Sequence, residues 1–338
     1  MRKIRIAQIG MNKYSHANTI FMTLKEHPEV FEIVGYALVE NEREECADKL
    51  FYFDGYKELT LDEILNDSTI EAVTVETDEI HLTKYATLAA RAGKHIHMEK
   101  PGSESLADFE NLIEEVRRSG KVFHTGYMYR YNPYVKQMLA EIKSGEFGKI
   151  HSVEAQMDCK HKAGAVIDWL ATFKGGMMFY LGCHLIDLVL QIQGEPENII
   201  VLNKDTEVGN VPSKDFAMAV FEYKNGVSTI KSDASEVGGY ARRQLVVIGS
   251  KKTVELKPFE IPVPNRDQKF VYTDKYEYNS EDWFKIPERE RVEFDRYSDM
   301  LLSFAAMVRG ERENPYTLDY ELKLFKTLLR CCDIEIGE

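Results

Sequence analysis

The alternation of strand and helix patterns over residues 1–125 is the feature that most restricts how this chain can fold. Short apolar runs typical of buried strands occur at 4–9, 33–39, 72–75, 95–98 and 122–125. Helix patterns lie between them, at 15–25, 42–50, 61–65, 81–91 and 105–119. Gly93 follows the fourth helix pattern, where a helix C-terminus favours glycine. Such alternation predicts βαβ units and a parallel sheet.

From residue 149 onward the apolar positions alternate with a period of two. Candidate strands occur at 151–159, 216–223, 227–232, 244–248 and 253–256. An Asn225-Gly226 turn joins two of them, which favours an antiparallel sheet with one covered face. Two helices are predicted at the end of the chain, at 296–308 and 318–331, and the proline-containing segment 258–292 is predicted to be a long surface excursion.

A chain of 338 residues is long for a single core, so two domains are expected. We predict a first domain over 1–125 and a second over 126–338, with the C-terminal helix able to pack back on the first domain. The net charge of −13 argues against a nucleic-acid backbone or an anionic membrane surface as the main partner.

Membrane spans, a secretory signal and a disulfide framework are not expected. No apolar run reaches the roughly 20 residues that span a bilayer, and the N-terminus lacks the apolar segment of a signal peptide. The five cysteines are odd in number and scattered, which favours a cytoplasmic protein with reduced thiols. Cys331 and Cys332 are expected to pack in a core.

The turn after the first strand, Gly10-Met-Asn12-Lys-Tyr-Ser15, lies where a dinucleotide-binding fingerprint would be. That fingerprint needs Gly-x-Gly-x-x-Gly for a tight turn, close approach to the pyrophosphate and close helix packing. Only Gly10 remains, although Asn12 tolerates left-handed backbone angles and Ser15 is small. Lys13 adds a positive charge near the helix N-terminus. Both a phosphate-binding loop and an ordinary strand-to-helix turn fit these residues.

Glu40 follows the second strand, about 30 residues after Gly10 and further than the usual spacing of roughly 20 for an acid that binds a ribose diol. An acid there would repel a 2′-phosphate, so NAD is favoured over NADP as the cofactor. The alternative is that Glu40 only begins the charged helix pattern that follows it.

Glu99-Lys100-Pro101 comes directly after the strand pattern at 95–98. Ligands of open α/β sheets bind outside the carboxyl ends of the strands, and a lysine there can take part in proton transfer. Pro101 allows a cis peptide bond. The simpler interpretation is a solvated Glu-Lys pair at the end of a strand.

Several motifs occur together in one order along nearly the whole chain. They are Gly10, Glu40, Glu71-Ala-Val73 through His81, Ala92-Gly-Lys-His-Ile-His-Met-Glu-Lys-Pro101, Gly126-Tyr-Met-Tyr-Arg-Tyr-Asn-Pro133, Ser144-Gly-Glu-Phe-Gly-Lys149 and Gly175-Gly176 through Gly182-Cys-His-Leu-Ile-Asp187. This set resembles the Gfo/Idh/MocA oxidoreductases. The resemblance implies an α/β fold class, with an N-terminal Rossmann domain (doubly wound, mostly parallel sheet). A C-terminal α+β domain with a large, mainly antiparallel sheet is implied to follow, and to support a homodimer or homotetramer.

The resemblance also implies hydride transfer to or from a hydroxyl-bearing carbon of a sugar, cyclitol or glycoside. Lys100 is implied to act at the substrate hydroxyl, and the Lys100–Pro101 bond is expected to be cis. The family's Asp-x-Gly-x-His motif falls on Tyr180-Leu-Gly182-Cys-His184, so His184 takes the catalytic histidine position. A base that titrates near neutrality suits removal of the hydroxyl proton, but the sequence does not divide this role between Lys100 and His184.

The predicted site residues follow from these motifs. Those expected at the nucleotide are Gly10, Asn12, Lys13, Tyr14, Ser15, Glu40, Thr77, Asp78, His81, Glu99, Lys100 and Tyr127. Those expected at the substrate are Lys100, Arg130, His161, Asp168, Trp169, Tyr180 and His184. Helix-start packing is the alternative for Tyr127 and Arg130, and a mobile polar loop is the alternative for His161, Asp168 and Trp169. No metal site is predicted, because Cys159, His161, Cys183 and His184 lack the spacing of zinc ligands.

Three departures from the family pattern leave other functions open. Two glycines of the fingerprint are lost, and Glu76, Asp78 and Glu79 add carboxylates where the family lines its nucleotide, which should weaken pyrophosphate binding unless they point away. Tyr180, which we also expect to be a catalytic residue, replaces an aspartate and cannot supply a fixed negative charge. The alternatives to a dehydrogenase are NAD-assisted glycoside cleavage and a catalytically silent, ligand-binding or partner subunit.

Overall fold

The computed structural model describes residues 2–335, which form two compact units. Unit 1 contains residues 2–127 and 297–325, and unit 2 contains residues 128–296 and 326–335. The first break lies close to the boundary predicted after residue 125. The chain then returns to unit 1 at residue 297.

Unit 1 is built on a five-stranded parallel sheet with the strand order β2-β1-β3-β4-β5. Its strands are β1 Ile4–Ile9, β2 Phe31–Ala37, β3 Ala72–Val75, β4 His95–Met98 and β5 Phe123–Thr125. All four residues of β3 are buried, as expected for a parallel strand covered on both faces. The order reverses between β1 and β3, and this reversal creates the crevice in which such sheets bind ligands.

Five helices connect these strands, and their termini follow local sequence signals. They are α1 Ala17–Glu26, α2 Glu42–Glu45, α3 Leu61–Asn66, α4 Leu82–Arg91 and α5 Leu106–Ser119. Thr60 and Glu63 form a reciprocal capping box at the start of α3. Ser105 accepts the Asp108 amide at the start of α5, and Gly120 ends that helix with a φ of 64°.

Unit 2 is built on a nine-stranded sheet with the order β12-β13-β11-β10-β6-β9-β8-β7, in which β14 pairs with β13. Its strands are β6 Ile150–Gln156, β7 Asn198–Val201, β8 Phe216–Tyr223, β9 Gly226–Asp233, β10 Gln244–Gly249, β11 Thr253–Leu256, β12 Ile261–Pro262, β13 Phe270–Tyr278 and β14 Glu290–Asp295. Only the β6–β9 pair is parallel among the described pairs of this sheet. The predicted α/β fold class, with a Rossmann domain and a mainly antiparallel second domain, is confirmed.

Unit 2 contains α6 Pro133–Lys143, α7 Ala165–Leu170 and α8 Cys183–Gln193. The apolar helix α8 packs against β6 and β9 and covers one face of the sheet. The last two helices are α9 Ser298–Val308, in unit 1, and α10 Leu318–Cys331, within which the chain passes from unit 1 to unit 2 after residue 325. None of the helices in residues 2–335 combines the length and the apolarity needed to cross a membrane.

Two predicted elements differ from the structure near the first sheet. β2 ends at Ala37 rather than at residue 39, because the Val39 amide donates to the Glu42 carboxylate (2.8 Å) instead of to a neighbouring strand. The helix predicted over 42–50 is α-helical only as far as Glu45 and continues as a 3₁₀ helix over Ala47–Phe53.

The prediction of a surface excursion over 258–292 is wrong for much of the segment, because β12 and β13 belong to the second sheet. Charged residues hide the strand pattern of β13. Asp274 and Lys275 are buried there, and each forms an ion pair with the neighbouring β14 segment, Asp274 with Arg291 (2.6 Å) and Lys275 with Glu290 (3.0 Å). Pairing makes their burial possible.

Candidate active site

The β1–α1 turn begins at a position that only glycine can occupy. Gly10 has a φ of 91°, and a Cβ atom there would lie 2.6 Å from the Thr77 backbone nitrogen. Gly10 therefore brings this turn directly against the segment that follows β3. Two predicted nucleotide-binding residues, Gly10 and Thr77, are in contact.

Asn12 organises the rest of the turn, and its side chain is 2% exposed. Its Oδ1 accepts hydrogen bonds from the amides of Tyr14 (2.7 Å) and Ser15 (3.2 Å). Lys49 Nζ donates to the Lys13 carbonyl (2.5 Å) from the other side. Two of the amides that a glycine-rich turn would offer to a phosphate are thus bound by an asparagine side chain.

The N-terminus of α1 still suits an anion. The first N–H groups of a helix lack intrahelical acceptors and carry a partial positive charge. The first turn of this helix, at 17–20 within the described residues, contains no acidic side chain, and Lys13 is exposed nearby. Together with the close approach at Gly10, this arrangement fits a dinucleotide whose phosphates lie at the α1 N-terminus.

Glu40 follows β2 in a left-handed conformation with a φ of 49°. Its Oε1 accepts hydrogen bonds from Lys84 Nζ (2.6 Å) and the Tyr85 hydroxyl (2.6 Å), and His81 Nδ1 lies 3.9 Å away. The hydrogen bonds from Lys84 and Tyr85 lower the pKa of Glu40. Glu40 is therefore a carboxylate at neutral pH, and it brings two predicted nucleotide-binding positions, Glu40 and His81, close together.

The segment after β3 carries two buried acids. Glu76 and Glu79 are both 0% exposed. Within residues 2–335 neither oxygen of Glu76 has a hydrogen-bond partner, nor does Oε1 of Glu79. Burial, with the neighbouring charges of Glu99 and Glu79, raises the pKa of Glu76 well above its usual value. Burial also raises the pKa of Glu79 to about 8, although Lys100 opposes this shift.

Glu79 is therefore mostly protonated at neutral pH, and the pKa of Glu76 is shifted in the same direction. A neutral carboxyl group does not repel a pyrophosphate as a carboxylate would. The raised pKa values of Glu76 and Glu79 therefore reduce the repulsion expected from these two residues. Asp78, between them, is half-buried, and its carboxylate accepts the Ile80 amide (3.4 Å).

Lys100 lies directly after β4 and is 3% exposed. Its Nζ is 3.6 Å from Oε1 of Glu99, which is equally buried. The expected cis Lys100–Pro101 bond is confirmed. Gly126 leaves room for Glu99, because a Cβ atom there would lie 2.8 Å from Glu99 Oε2. Tyr127 follows and is buried.

Two buried histidines of the same sheet were missed in the sequence. His97 on β4 and His124 on β5 are paired across the strands, with their Nδ1 atoms 2.8 Å apart. His97 Nε2 lies 3.8 Å from Glu76 Oε1, and burial lowers the pKa of His97 to about 3. Their alternation within short apolar strands is the only signal that could have identified them, and it indicates burial rather than function.

His184 and Tyr180 lie in unit 2, at the start of α8. Tyr180 belongs to a π-helical turn, Met178–Gly182, that precedes the helix, and its ring packs edge-on against Trp169 (5.0 Å between centroids). His184 is 2% exposed, and its ring packs edge-on against Tyr129 (4.9 Å). π-turns inside helices are frequent at functional sites.

Behind Tyr129 lies a buried charge network that was also missed. The Tyr129 hydroxyl donates to Glu260 Oε1 (2.5 Å), and Arg243 Nη1 donates to the same oxygen (2.5 Å). Arg296 Nε is 3.1 Å from Glu260 Oε2. Burial alone would raise the pKa of Glu260, but Arg296 and Arg243 outweigh it and lower that pKa. Glu260 lies in the segment that was predicted to be a surface excursion.

The remaining predicted substrate residues have structural partners. Arg130 is buried and forms a bidentate ion pair with Asp187 (2.8 and 3.0 Å). Both Asp168 oxygens accept hydrogen bonds from Asn210, through its backbone (2.8 Å) and its side chain (2.7 Å). His161 is half-buried, and burial and Arg243 lower its pKa. Their roles at a substrate stay predictions.

All five cysteines lie within the described residues, and each is buried and outside any disulfide. Within residues 2–335 no three His, Cys, Asp or Glu side chains are grouped so that they could hold a metal ion. Lys100 belongs to unit 1, whereas Tyr180 and His184 belong to unit 2.

Two family models match the chain. Residues 4–127 match an oxidoreductase family with an NAD-binding Rossmann fold, and residues 135–255 match the GFO/IDH/MocA C-terminal domain. Among curated relatives, myo-inositol 2-dehydrogenase of Thermotoga maritima is 26% identical over 258 residues, which cover 73% of each chain.

Solved structures share the fold across nearly the whole chain. Levoglucosan dehydrogenase in complex with NADH and levoglucosan has a TM-score of 0.76 and 15% identity, covering 98% of both chains. A 3-ketoreductase from Actinomadura kijaniata, in complex with NADP and TDP-benzene, has a TM-score of 0.75 and 16% identity, covering 97% of this chain and 96% of the other. Complexes with NADH and with NADP both occur among these neighbours.

Proposed function

The chain belongs to the Gfo/Idh/MocA oxidoreductases, and from that membership we propose that it transfers a hydride between NAD and a hydroxyl-bearing carbon of a sugar, cyclitol or glycoside. The observation that carries this proposal is the buried Lys100, placed directly after β4 and beside Glu99. The same unit has a β1–α1 turn that fits a dinucleotide. Relatives named as an inositol dehydrogenase, a levoglucosan dehydrogenase and a 3-ketoreductase support the substrate class.

The chemistry needs one proton to move. Bound NAD supplies a hydride acceptor, and the alcohol carbon that gives up the hydride becomes a carbonyl. Its hydroxyl proton must leave in the same event, and a positioned amine or imidazole that takes it contributes about 10²–10⁴-fold to the rate. We propose that either Lys100 or His184 accepts this proton. If Lys100 is the base, its neutral amine takes the proton, and Glu99, 3.6 Å away, stabilises the ammonium that forms.

NAD is proposed over NADP because of Glu40. This carboxylate is held by Lys84 and Tyr85, and its charge would oppose a 2′-phosphate. Replacing Glu40 with alanine leaves the Lys84 ammonium in place, so Glu40→Ala is expected to shift the NADPH-to-NADH affinity ratio toward NADPH by about tenfold, or about 1.4 kcal/mol. Calorimetric titration of both nucleotides measures this ratio. An unchanged ratio would mean that Glu40 does not act on the bound nucleotide.

The alternative of a catalytically silent subunit requires that the β1–α1 turn no longer binds a cofactor. The close approach at Gly10, the acid-free first turn of α1 and the raised pKa values of Glu76 and Glu79 all favour a working turn instead. We therefore propose a dehydrogenase without a second candidate function. The homodimer or homotetramer stays a proposal, which light scattering of the purified chain would test.

The test begins with calorimetric titration of NADH, followed by reduction of NAD in the presence of myo-inositol, levoglucosan and other polyols. Lys100→Met is expected to lower kcat by roughly 10²–10⁴-fold with the substrate that works. Lys94→Met is a matched control, because Lys94 is also 3% exposed but donates only to the Asp67 and Ile70 carbonyls, at 2.6 and 2.8 Å. Absence of NADH and NADPH binding by the folded protein would overturn the proposal.

A further inference from the structure

Asn12 is held between acceptors on one side and donors on the other. Its Nδ2 donates to Glu79 Oε2 (2.6 Å) and lies 3.4 Å from the Thr77 carbonyl oxygen. Its Oδ1 accepts the amides of Tyr14 and Ser15. Rotation of the amide group by half a turn would place donors against donors and oxygens against oxygens. The contact with Glu79 therefore determines which end of the Asn12 side chain faces the turn.

We propose that Glu79 is a positioning residue for the cofactor: through Asn12, it sets the conformation of the β1–α1 turn that receives the phosphates. Glu79 is 0% exposed, so it acts through Asn12 rather than by touching the nucleotide. This inference rests on the proposed function, because it assumes that a nucleotide binds at this turn. Glu79 lies outside the segment that a glycine-rich fingerprint covers.

The charge state of Glu79 matters for the same turn. Burial raises the pKa of Glu79 and so favours its neutral form. Lys100 lowers that pKa, whereas Asp78 and Glu99 raise it. Burial also raises the pKa of the neighbouring Glu76. A neutral Glu79 still offers an oxygen to Asn12. An ionised Glu79 would add a negative charge one side chain away from the phosphates, in a region where charges are weakly screened.

Two substitutions separate these contributions. Glu79→Gln keeps an oxygen that accepts from Asn12 Nδ2 but cannot ionise. Glu79→Met keeps similar volume but removes the acceptor, so Asn12 loses the contact that orients it. Loss of a buried hydrogen bond of this kind corresponds to roughly a fivefold to tenfold change in an equilibrium constant. Glu44→Gln, an exposed substitution on α2, is the control for a change of one unit charge in the same unit.

NADH affinity is measured by calorimetry between about pH 6.5 and 9.5. The wild-type protein and Glu44→Gln are expected to lose roughly threefold to tenfold in affinity as the pH rises through about 8. Glu79→Gln is expected to match the wild type at pH 7 and to keep its affinity at pH 9. Glu79→Met is expected to bind roughly fivefold to tenfold more weakly at every pH. A merely structural glutamate would not produce this difference between the Gln and Met variants.

Hydrogen exchange of the turn at 10–20, measured without nucleotide, provides a second readout. Glu79→Met should exchange faster at the Tyr14 and Ser15 amides, and Glu79→Gln should exchange at the wild-type rate. Wild-type binding with a pH profile that Glu79→Gln does not change, or with full affinity in Glu79→Met, would overturn this inference and leave the proposed function standing. Absence of any binding by the wild-type protein would overturn both.

Discussion

Glu79 in unit 1 and Glu260 in unit 2 are both 0% exposed. At neutral pH, however, Glu79 is mostly protonated and Glu260 is ionised. Glu79 has Asn12 as its hydrogen-bond donor and a pKa raised to about 8 by burial. Glu260 has Arg243 and Arg296 against it, and these cations lower its pKa despite burial. Burial is the same in both cases, and only the partners differ. The partner, not the depth, therefore decides whether a buried glutamate is charged.

The two charge states suit the surroundings of each glutamate. A neutral acid beside the β1–α1 turn leaves the turn compatible with a dianionic pyrophosphate. A permanent charge network behind Tyr129 holds the ring against which His184 packs. Removing charge should therefore be harmful at Glu260 and harmless, or favourable, at Glu79.

The largest expected effect is that of Glu260→Gln. It would leave the Arg243 and Arg296 guanidinium groups buried without their counter-charge, and breaking a buried pair in this way costs about 3–5 kcal/mol of unfolding free energy. Denaturant unfolding at pH 7 measures this loss. Glu32→Gln is the control, because its pair with Arg5 is exposed and should contribute less than about 1 kcal/mol. A loss below about 1 kcal/mol for Glu260→Gln would show that the arginines are not desolvated.

The second expected effect is on the pH dependence of stability. Glu79 has a pKa of about 8 in the folded protein and an ordinary pKa of 4.5 in the unfolded chain. Its contribution to stability is therefore complete below the unfolded pKa and is lost as the pH rises through the folded one. Between about pH 6 and 8, the wild type should lose about 2 kcal/mol that Glu79→Gln does not lose.

The lowered pKa of His97, about 3, acts in the opposite direction but only below its unfolded value near 6.5. It therefore does not mask the effect of Glu79 above that pH. Thermal unfolding of the wild type and Glu79→Gln at several pH values measures the difference between them. Parallel stability curves for the two proteins would mean that Glu79 is already ionised at pH 6.

Features that depend on the local sequence were predicted well, whereas features set by distant partners were not. Apolar periodicity identified β1, β4 and β8, because burial of regular faces is a local property. The tight turn at Gly10 followed from its place after the first strand, and the cis Lys100–Pro101 bond was expected from the family resemblance. These features depend on neighbours along the chain, and a single sequence contains that information.

Features that depend on partners distant in the chain were not predicted. β13 was missed because Asp274 and Lys275 are neutralised by β14, which follows later in the sequence. Glu79 was interpreted as a repulsive carboxylate, since its burial and its contact with Asn12, 67 residues away, are tertiary. Glu260 was missed for the same reason, because Arg243 and Tyr129 approach it only in the folded unit.

The smallest expected effect is that of Tyr129→Phe. It removes the hydroxyl that donates to Glu260 but keeps the ring that packs against His184 and Phe259. Because Arg243 and Arg296 remain as partners of Glu260, the cost should be about 1 kcal/mol, that of one hydrogen bond. Denaturant unfolding measures it, and the KM and kcat of the dehydrogenase reaction should stay within about twofold because the His184 ring keeps its support. A loss of about 3 kcal/mol or more would mean that the phenol, rather than the two arginines, keeps Glu260 charged. The difference between Glu260 and Glu79 would then result from a hydroxyl donor and not from cations.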